Sequence, residues 1–330
     1  MTARPGRLIV IAGPTATGKT DLALDLAERI AERGIRIGTH GTGTGTGTDT
    51  GTEITGAEII NADSMQLYRG MDIGTAKTPP DQRRGIPHHQ FDVLDITETA
   101  SVAAYQTVTR DLVDRVLARG RIPLLVGGSG LYIQSVVDDI AFPPTDPAVR
   151  ARLEDEMAVV GAPAMFARLT DSDPVAAGII DPRNERRIVR ALEVIELTGQ
   201  PFSATLPRPG RPRFDARLVR VDRPSAELDE RIERRVRAMV AEGFLDEVRD
   251  LERRGLRDGV TARRALGYPQ MLAVLDGTSD VESAIIATAA ATRRFVRRQR
   301  SWFNRDHRLI DVDPTAADAV DRVLALVDEV

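Results

Sequence analysis

A glycine-rich segment near the start of the chain has the pattern of a phosphate-binding loop. The segment GPTATGKT has the form G-x-x-x-x-G-K-[ST]. In such a loop, successive backbone N–H groups and the positive end of the following helix bind phosphate oxygens, whatever the phosphates are attached to. Lys19 adds a positive charge, and the Thr20 hydroxyl is placed to ligate Mg²⁺. The residues predicted to bind a diphosphate are Gly13, Pro14, Thr15, Ala16, Thr17, Gly18, Lys19 and Thr20.

A carboxylate, Asp63, is the second candidate for chemistry. It lies in NADSMQLYRGMDIGTAK, directly after a predicted strand over 58–62. The residues allow three interpretations: Asp63 holds the metal of a kinase, it is a general base beside a bound diphosphate, or it caps the next turn. The other strand that could deliver an acid, in IPLLVGGSG, ends in glycines and supplies none.

Alternating strand and helix patterns place these loops on one parallel sheet. Short apolar runs predict strands over 8–12, 58–62, 122–126, 218–221 and 309–312. Helical periodicity predicts helices after the phosphate-binding loop, from 225 onwards, and over 102–119, 185–198 and 282–303. We therefore predict an α/β fold, a P-loop parallel sheet core with helices on both faces and an inserted helical subdomain. Ligands of such sheets bind at the carboxyl ends of the strands, where the loops after 12, 62 and 126 would converge.

Changes in composition give the predicted domain boundaries. Residues 1–141 form the first part of the core, 142–204 the inserted helical subdomain, and 205–330 the second part of the core with an Arg-rich C-terminal helix. Within the first part, residues 39–56 are rich in Gly and Thr. Such a segment has nothing to pack in a core, so we predict a disordered surface loop there.

The arginines are unevenly distributed, although the net charge of the chain is −4. Over 293–308, seven Arg accompany a single acid, Asp306, and a second cluster lies over 183–190. Such stripes favour a protein that binds a polyanion on one face, although solvated helix faces carry the same pattern. The sequence has no cysteine, no apolar run long enough to span a membrane and no signal-peptide core. We therefore expect a cytoplasmic protein without membrane contact.

The histidines and large aromatic residues have structural interpretations. His88 and His89 lie in a PHH turn, where a hydrogen bond that supports the fold is a better explanation than catalysis. Trp302 and Phe303 stand at helical spacing and are predicted to pack in the core rather than to stack on bases. The four histidines of the chain are scattered and make no metal-binding set.

Several longer motifs occur in a fixed order and carry a resemblance to a known family. The first four are GPTATGKT, INADSMQLYRGMDIGTAK, IPHHQFDVLDI and PLLVGGSGLY. Further along are ERRIVRALEVIELTG, ERIERRVRAMVAEGFLDEV, RRALGYPQM and ATRRFVRRQRSWF. Over most of its length the chain resembles the tRNA dimethylallyltransferases, also called tRNA isopentenyltransferases. The Gly-Thr tract is the one clear departure, and it leaves the motifs intact.

The resemblance implies transfer of a dimethylallyl group from dimethylallyl diphosphate to N6 of the adenosine 3′ of the tRNA anticodon. The implied catalytic residues are Asp63, Thr15, Lys19 and Arg231. Asp63 would accept a proton from N6 or form a hydrogen bond with it. Lys19 and Arg231 would neutralise the diphosphate, and Mg²⁺ would lie near Thr20. The inserted subdomain would contact the anticodon stem-loop. The implied tRNA-binding residues are Asp63, Ser64, Met65, Gln66, Ser129, Arg150, Arg186, Arg187, Arg190, Arg297 and Arg298.

Two alternatives remain open at the level of the sequence. A small-molecule or nucleoside kinase would use ATP at the same loop, but it would leave the Arg stripes and the helical insertion unexplained. A catalytically silent RNA-binding protein would have no need for the intact set of Gly13, Gly18, Lys19, Thr20 and Asp63. No feature of the sequence points to an obligate interface, so we expect a monomer.

Overall fold

The computed structural model describes residues 7–37, 52–205 and 212–328. In chain order the strands are β1 (Ile9–Ala12), β2 (Ile35–Ile37), β3 (Thr52–Ile54), β4 (Ala57–Asn61), β5 (His88–His89), β6 (Ile122–Gly127), β7 (Arg217–Val221) and β8 (Ile310–Val312). The helices are α1 (Lys19–Arg33), α2 (Val102–Ala118), α3 (Gly130–Val137), α4 (Pro147–Ser172), α5 (Pro174–Ala177), α6 (Glu185–Thr198), α7 (Ser225–Ala241), α8 (Phe244–Arg253), α9 (Tyr268–Leu275), α10 (Val281–Phe303) and α11 (Ala319–Asp328).

Six strands form one parallel sheet in the order β5-β4-β6-β1-β7-β8. The predicted α/β fold is therefore confirmed, and each predicted strand is found with its ends within one residue. The predicted helices over 102–119, 185–198 and 282–303 correspond to α2, α6 and α10. Strand β1 lies between β6 and β7, so the loop that follows it opens at the middle of the sheet.

Alternating side chains of the central strands supply two cores, one on each face of the sheet. Ile9 and Ile11 pack with α1 and α11 on one face, while Val10 and Ala12 pack with α2 and α3 on the other. All four side chains are fully buried. A parallel strand covered on both faces reads as a continuous apolar run, which is why LIVIA is recognisable without its neighbours.

The C-terminal part of the predicted disordered loop over 39–56 is ordered as a strand. Residues 39–51 lie outside the described residues. Thr52–Ile54 forms β3, which pairs antiparallel with β2 in a separate two-stranded sheet. Ile54 is buried against the core shared with α1, and this apolar anchor was overlooked because the adjacent Gly-Thr tract dominated the composition.

The chain divides into two compact units, one made of Met1–Val137 with Arg211–Val330 and the other of Asp138–Gly210. The smaller unit begins before and ends after the predicted insertion over 142–204. Its described part is helical, with α4 packed against α6 and a kink in α4 at Gly161, where φ is 81°. The core of this unit includes Leu153, Leu169 and Ile188.

A buried carboxylate organises the start of the smaller unit. Glu193, on α6, is fully buried and accepts hydrogen bonds from Arg150, Arg190 and the Thr145 hydroxyl. Burial alone would raise the pKa of Glu193, but these hydrogen bonds lower it to about 2. An ion cluster of this kind fixes the path of the chain into α4.

None of the helices in the described ranges 7–37, 52–205 and 212–328 is both long and apolar enough to cross a membrane. The two aromatic residues at the end of α10 differ from each other. Phe303 is buried in the core, as predicted, whereas Trp302 is 38% exposed, and its prediction as a core residue was wrong. Trp302 lies instead beside Gly130, where a Cβ would come within 2.2 Å of the indole.

Candidate active site

The phosphate-binding loop, Gly13–Thr20, connects β1 to α1 and has little room on the side of the sheet. A Cβ on Gly13 would lie 2.1 Å from the Val221 carbonyl oxygen, so only glycine allows the chain to leave β1 at this point. Gly18, with φ of 100°, forms the N-cap of α1 in the left-handed region that favours glycine. Glycine is therefore required at the two positions for different reasons, close packing at Gly13 and backbone conformation at Gly18.

The carbonyl groups of the loop are held by positively charged side chains. Nε of Arg231 donates to the Ala16 carbonyl at 2.8 Å, and Nε of Arg223 donates to the Thr17 carbonyl at 2.8 Å. Lys19 Nζ donates to the Pro14 carbonyl. In a trans peptide unit the C=O and N–H groups point in opposite directions. The amides that follow these carbonyls consequently point away from the arginines.

Asp63 follows β4 and is oriented by its backbone surroundings. Asn61, which is buried, accepts from the Asp63 N–H at 2.8 Å and donates to the Asp63 carbonyl at 2.9 Å. The Asp63 carboxylate accepts the Met65 N–H at 2.9 Å. Asp63 therefore does cap the following turn, as one of the three interpretations proposed. The same residue also lines two cavities, so the capping contact does not remove its side chain from the space open to a ligand.

The first cavity, the cationic cavity, has a volume of about 570 Å³ and lies over the phosphate-binding loop. Its charged lining includes Lys19, Arg231, Arg235 and Asp63, and Thr20 also faces it. Apolar side chains, including Leu24, Ile59 and Phe91, line another part of the same cavity. Charged and apolar surfaces therefore lie side by side in this cavity.

The second cavity, the apolar cavity, has a volume of about 250 Å³ and lies against α7 and α10. Its lining includes Met65, Ile232, Val236, Phe244 and Phe295. A few polar groups accompany them, notably Ser64, Ser129 and Arg298. The residues that line both cavities are Thr15, Ala16, Asp63, Thr75 and Arg235. The two cavities therefore meet at Asp63.

Burial and charge shift the titration of the groups at this junction. Burial and, to a smaller extent, the Arg235 charge lower the pKa of Lys19 to about 7, against the opposing effect of Asp63. Burial raises the pKa of Asp63, against the opposing effects of the Met65 N–H and the Lys19 charge. Burial also lowers the pKa of Arg235. Perturbed groups in a cleft are typical of functional sites.

The uncharged residues predicted to bind tRNA divide between the two cavities. Ser64, Met65 and Ser129 line the apolar cavity, and the Ser129 hydroxyl lies 3.4 Å from the Ser64 N–H that donates to it. Gln66 lies in the cationic cavity instead, where its amide donates to the Thr75 and Ala76 carbonyls. Gln66 therefore differs from the other three members of the predicted set.

The arginines predicted to bind tRNA have different environments. Arg297 and Arg298 are exposed on α10, and Arg298 also lies over the Phe295 ring at 5.6 Å from its centroid. Arg186 and Arg187 are exposed on α6 of the smaller unit. Arg150 and Arg190 are engaged with Glu193, and Arg190 also donates to the Pro143 and Pro144 carbonyls. Their contacts in this structure are those of the fold, since a buried carboxylate demands a partner.

Arg235 and Gln299 line the site but were not among the residues predicted from the sequence. Arg235 faces both cavities from α7, one helical turn after Arg231, and this i, i+4 spacing was the available signal. Gln299 lies in the cationic cavity between two loops. It is a single uncharged residue within an Arg-rich stretch, and no local pattern sets it apart.

The adjacent histidines have backbone and carboxylate partners. His88 Nδ1 lies 2.8 Å from the Ile86 carbonyl oxygen, and burial lowers the pKa of His88. His89 Nε2 lies 2.6 Å from a carboxylate oxygen of Glu58. Both contacts support the predicted structural role, although His88 also lines the cationic cavity.

The residues present fit a divalent cation only together with a phosphorylated ligand. The described residues hold no cluster of three or more His, Cys, Asp or Glu side chains that could bind a metal. Thr20 and Asp21 do line the cationic cavity beside the phosphate-binding loop. Mg²⁺ binds commonly through one or two protein oxygens together with phosphate oxygens and water.

Comparison with known proteins gives consistent results. The model of the IPP transferase family matches residues 66–306. The tRNA dimethylallyltransferase of Mycobacterium sp. (strain KMS) is 54% identical over 318 residues, which cover 96% of this chain and 97% of that protein. The tRNA dimethylallyltransferase of Saccharopolyspora erythraea is 55% identical over 322 residues, or 98% and 96% of the two chains. The crystal structure of the tRNA isopentenylpyrophosphate transferase of Bacillus halodurans is 34% identical, with a TM-score of 0.66 over 98% of this chain and 95% of that one.

Proposed function

We propose, from the premise that this chain belongs to the tRNA dimethylallyltransferases, that it transfers the dimethylallyl group of dimethylallyl diphosphate to tRNA. The acceptor is N6 of the adenosine immediately 3′ of the anticodon. The observation that carries this proposal is the position of Asp63, at the junction of a cationic cavity and an apolar one. Such a junction allows two substrates to meet at one carboxylate.

The cationic cavity is the proposed site of the donor. The diphosphate would lie on the phosphate-binding loop. Lys19 and Arg231, which line the cavity, would offset its charge, and Arg235 would face the reacting end. Stabilising the negative charge of a departing diphosphate is the largest contribution that such a site offers to the reaction. When bound, Mg²⁺ would be held by the Thr20 hydroxyl and would supply further charge neutralisation to the diphosphate.

The apolar cavity is the proposed site of the adenine. A base extruded from an anticodon loop loses little stacking energy compared with a base in a duplex. Met65 and Phe295 offer apolar surfaces for its ring, and Ser64 and Ser129 offer polar groups for its edge. The exposed Arg297 and Arg298 lie on the helix that forms one wall of this cavity and would bind the RNA backbone.

The transfer itself is a displacement at the allylic carbon of the donor. A bond forms between N6 and that carbon while the bond from the carbon to the diphosphate oxygen breaks, and the diphosphate leaves with the electron pair. The proton on N6 passes to the Asp63 carboxylate. An exocyclic amine on adenine is a weak nucleophile, so its orientation between Thr15 and Asp63 matters as much as proton transfer.

The test is a single incubation with labelled dimethylallyl diphosphate, ATP and unmodified tRNA. We expect label in the RNA and no phosphate released from ATP. Phosphate release without labelled RNA would favour the kinase alternative, and neither product would favour a silent RNA-binding protein. Because both cavities are lined by residues of one chain, we further propose that the monomer is active, in the cytoplasm where tRNA is found.

A further inference from the structure

Gln299 is buried at the point where two loops of the site approach each other. Its side-chain carbonyl accepts the Thr15 N–H at 3.1 Å, and its amide group donates to the Gly128 carbonyl at 3.0 Å. The residue is 5% exposed. The pair of contacts requires one acceptor and one donor on the same side chain, so a neutral amide satisfies both loops where a carboxylate would satisfy only one.

The space around Gln299 allows little movement of its amide group. A Cβ on Gly128 would lie 2.2 Å from Nε2 of Gln299 and 3.0 Å from the Gly13 carbonyl oxygen. The helix that carries Gln299 is itself fixed on both sides of the residue. Val296 and Phe303 are buried, and Arg300 donates to both carboxylate oxygens of Asp222. The amide therefore holds the two loops from a rigid support.

Thr15 connects this support to the reacting groups. It lines both cavities, as Asp63 does, and its N–H is directed to Gln299. If the amide were removed, the Thr15 N–H and the Gly128 carbonyl would both lose a buried partner, and the loops would rearrange to recover one. A displacement of about 1 Å at such a position can reduce the rate about 10²-fold.

We propose that Gln299 is a positioning residue for prenyl transfer, which fixes Thr15 and Gly128 at the junction where donor and acceptor meet. This inference rests on the proposed function. It assigns the Thr15 N–H to Gln299, so the diphosphate is bound by amides later in the loop. It also gives the buried face of α10 a role distinct from that of the exposed Arg297 and Arg298.

Two substitutions test the proposal in the full-length protein. Gln299→Leu keeps a similar volume and removes both hydrogen bonds, so transfer to tRNA should fall about 10²-fold at every pH. Gln299→Glu can act as the amide does only when protonated, because the ionised form would place an oxygen against the Gly128 carbonyl. Its turnover relative to the parent should be highest at acidic pH and should fall about tenfold per unit above the pKa of the new carboxyl, down to the level of Gln299→Leu.

The readout is the ratio of variant to parent turnover at each pH between about 5.5 and 8.5, a range chosen because burial raises the pKa of a carboxyl. Ionisations that the two proteins share cancel in this ratio. Ile286→Glu, at an exposed position of the same helix, should give a flat ratio and controls for the added acid. Circular dichroism at each pH checks that the variants remain folded.

The outcomes separate this inference from the proposed function. A flat ratio for Gln299→Glu, or parental turnover in Gln299→Leu, would overturn the positioning role. A parent protein that transfers no label to tRNA would instead refute the proposed function. A falling ratio with a low, pH-independent Gln299→Leu supports the role, since a merely structural amide would not make turnover follow the protonation of its replacement.

Discussion

The affinity for dimethylallyl diphosphate should depend on pH through Lys19. The pKa of Lys19 is lowered from 10.5 to about 7 because the ammonium is buried and faces the Arg235 charge. A bound diphosphate would favour the charged form and would return the pKa towards its ordinary value. Above about pH 7, binding of the ligand is therefore coupled to protonation of Lys19. The affinity for the ligand consequently falls as the pH rises.

The size of the effect follows from the two titrations. With a pKa of about 7 in the free protein and above about 10 in the complex, the dissociation constant rises about 16-fold between pH 7.0 and 8.5. An unperturbed lysine, with a pKa near 10.4, would change the affinity by only a few per cent over this range. The second ionisation of a terminal phosphate group has a pKa of about 6 and is close to complete above about pH 7. Ionisation of the ligand therefore contributes little to the pH dependence of its affinity.

Isothermal titration calorimetry without tRNA measures this affinity directly, because the donor is not consumed. Lys19→Met retains a side chain of similar length without the charge, and it should bind weakly with no dependence on pH across the same range. The measurement is made with EDTA and again with Mg²⁺, to separate the metal from the ammonium. An affinity of the parent that stays constant from pH 7.0 to 8.5, or an equal slope in Lys19→Met, would refute the reasoning.

Three further outcomes are expected. Asp63→Asn keeps an acceptor for the Met65 N–H but removes the base, so single-turnover transfer should fall about 10²–10⁴-fold while donor binding survives. Because burial raises the pKa of Asp63, acidification should abolish turnover of the parent protein at a pH above about 3.9, the ordinary pKa of Asp. Near-normal turnover in Asp63→Asn would show that Asp63 is not the general base. Arg297→Ala and Arg298→Ala should each weaken tRNA binding more than donor binding and lower the salt slope by about 1, whereas the ion-paired control Arg237→Ala should change neither. Glu193→Gln should lower the free energy of unfolding of the smaller unit by about 1–3 kcal/mol, and the Glu193 contribution, present above about pH 4.5, should fade towards its pKa of about 2; an unchanged thermal midpoint at neutral pH would contradict this.

The sheet and the phosphate-binding loop were predictable because their signals are local. The apolar run before Gly13 and the amphipathic run after Thr20 each identify an element without reference to distant residues. Asp63 was found in the same way, as the polar residue after a buried strand. Two parallel strands that end at the same edge of a sheet bring their following residues together, whatever separates them in the chain.

The rest depended on packing that no local pattern encodes. Gln299 and Arg235 reach the site only because α10 and α7 pack beside the loops after β1 and β6. Trp302 and Phe303 are adjacent in sequence, yet only one of them faces the core. The contacts of Arg150 and Arg190 with Glu193 could not be predicted, because nothing in the sequence marks this glutamate as buried.

Helix α10 presents two exposed arginines and one buried amide within three consecutive positions, Arg297, Arg298 and Gln299. The RNA contacts proposed for the arginines and the positioning of Thr15 proposed for Gln299 thus belong to the same helix. If tRNA binding changes the affinity for the donor through this helix, a bound donor must change the affinity for tRNA by the same factor. This equality follows because the two binding steps form a closed thermodynamic cycle. The geometry of a single helix can therefore set how strongly the binding of one substrate favours the binding of the other.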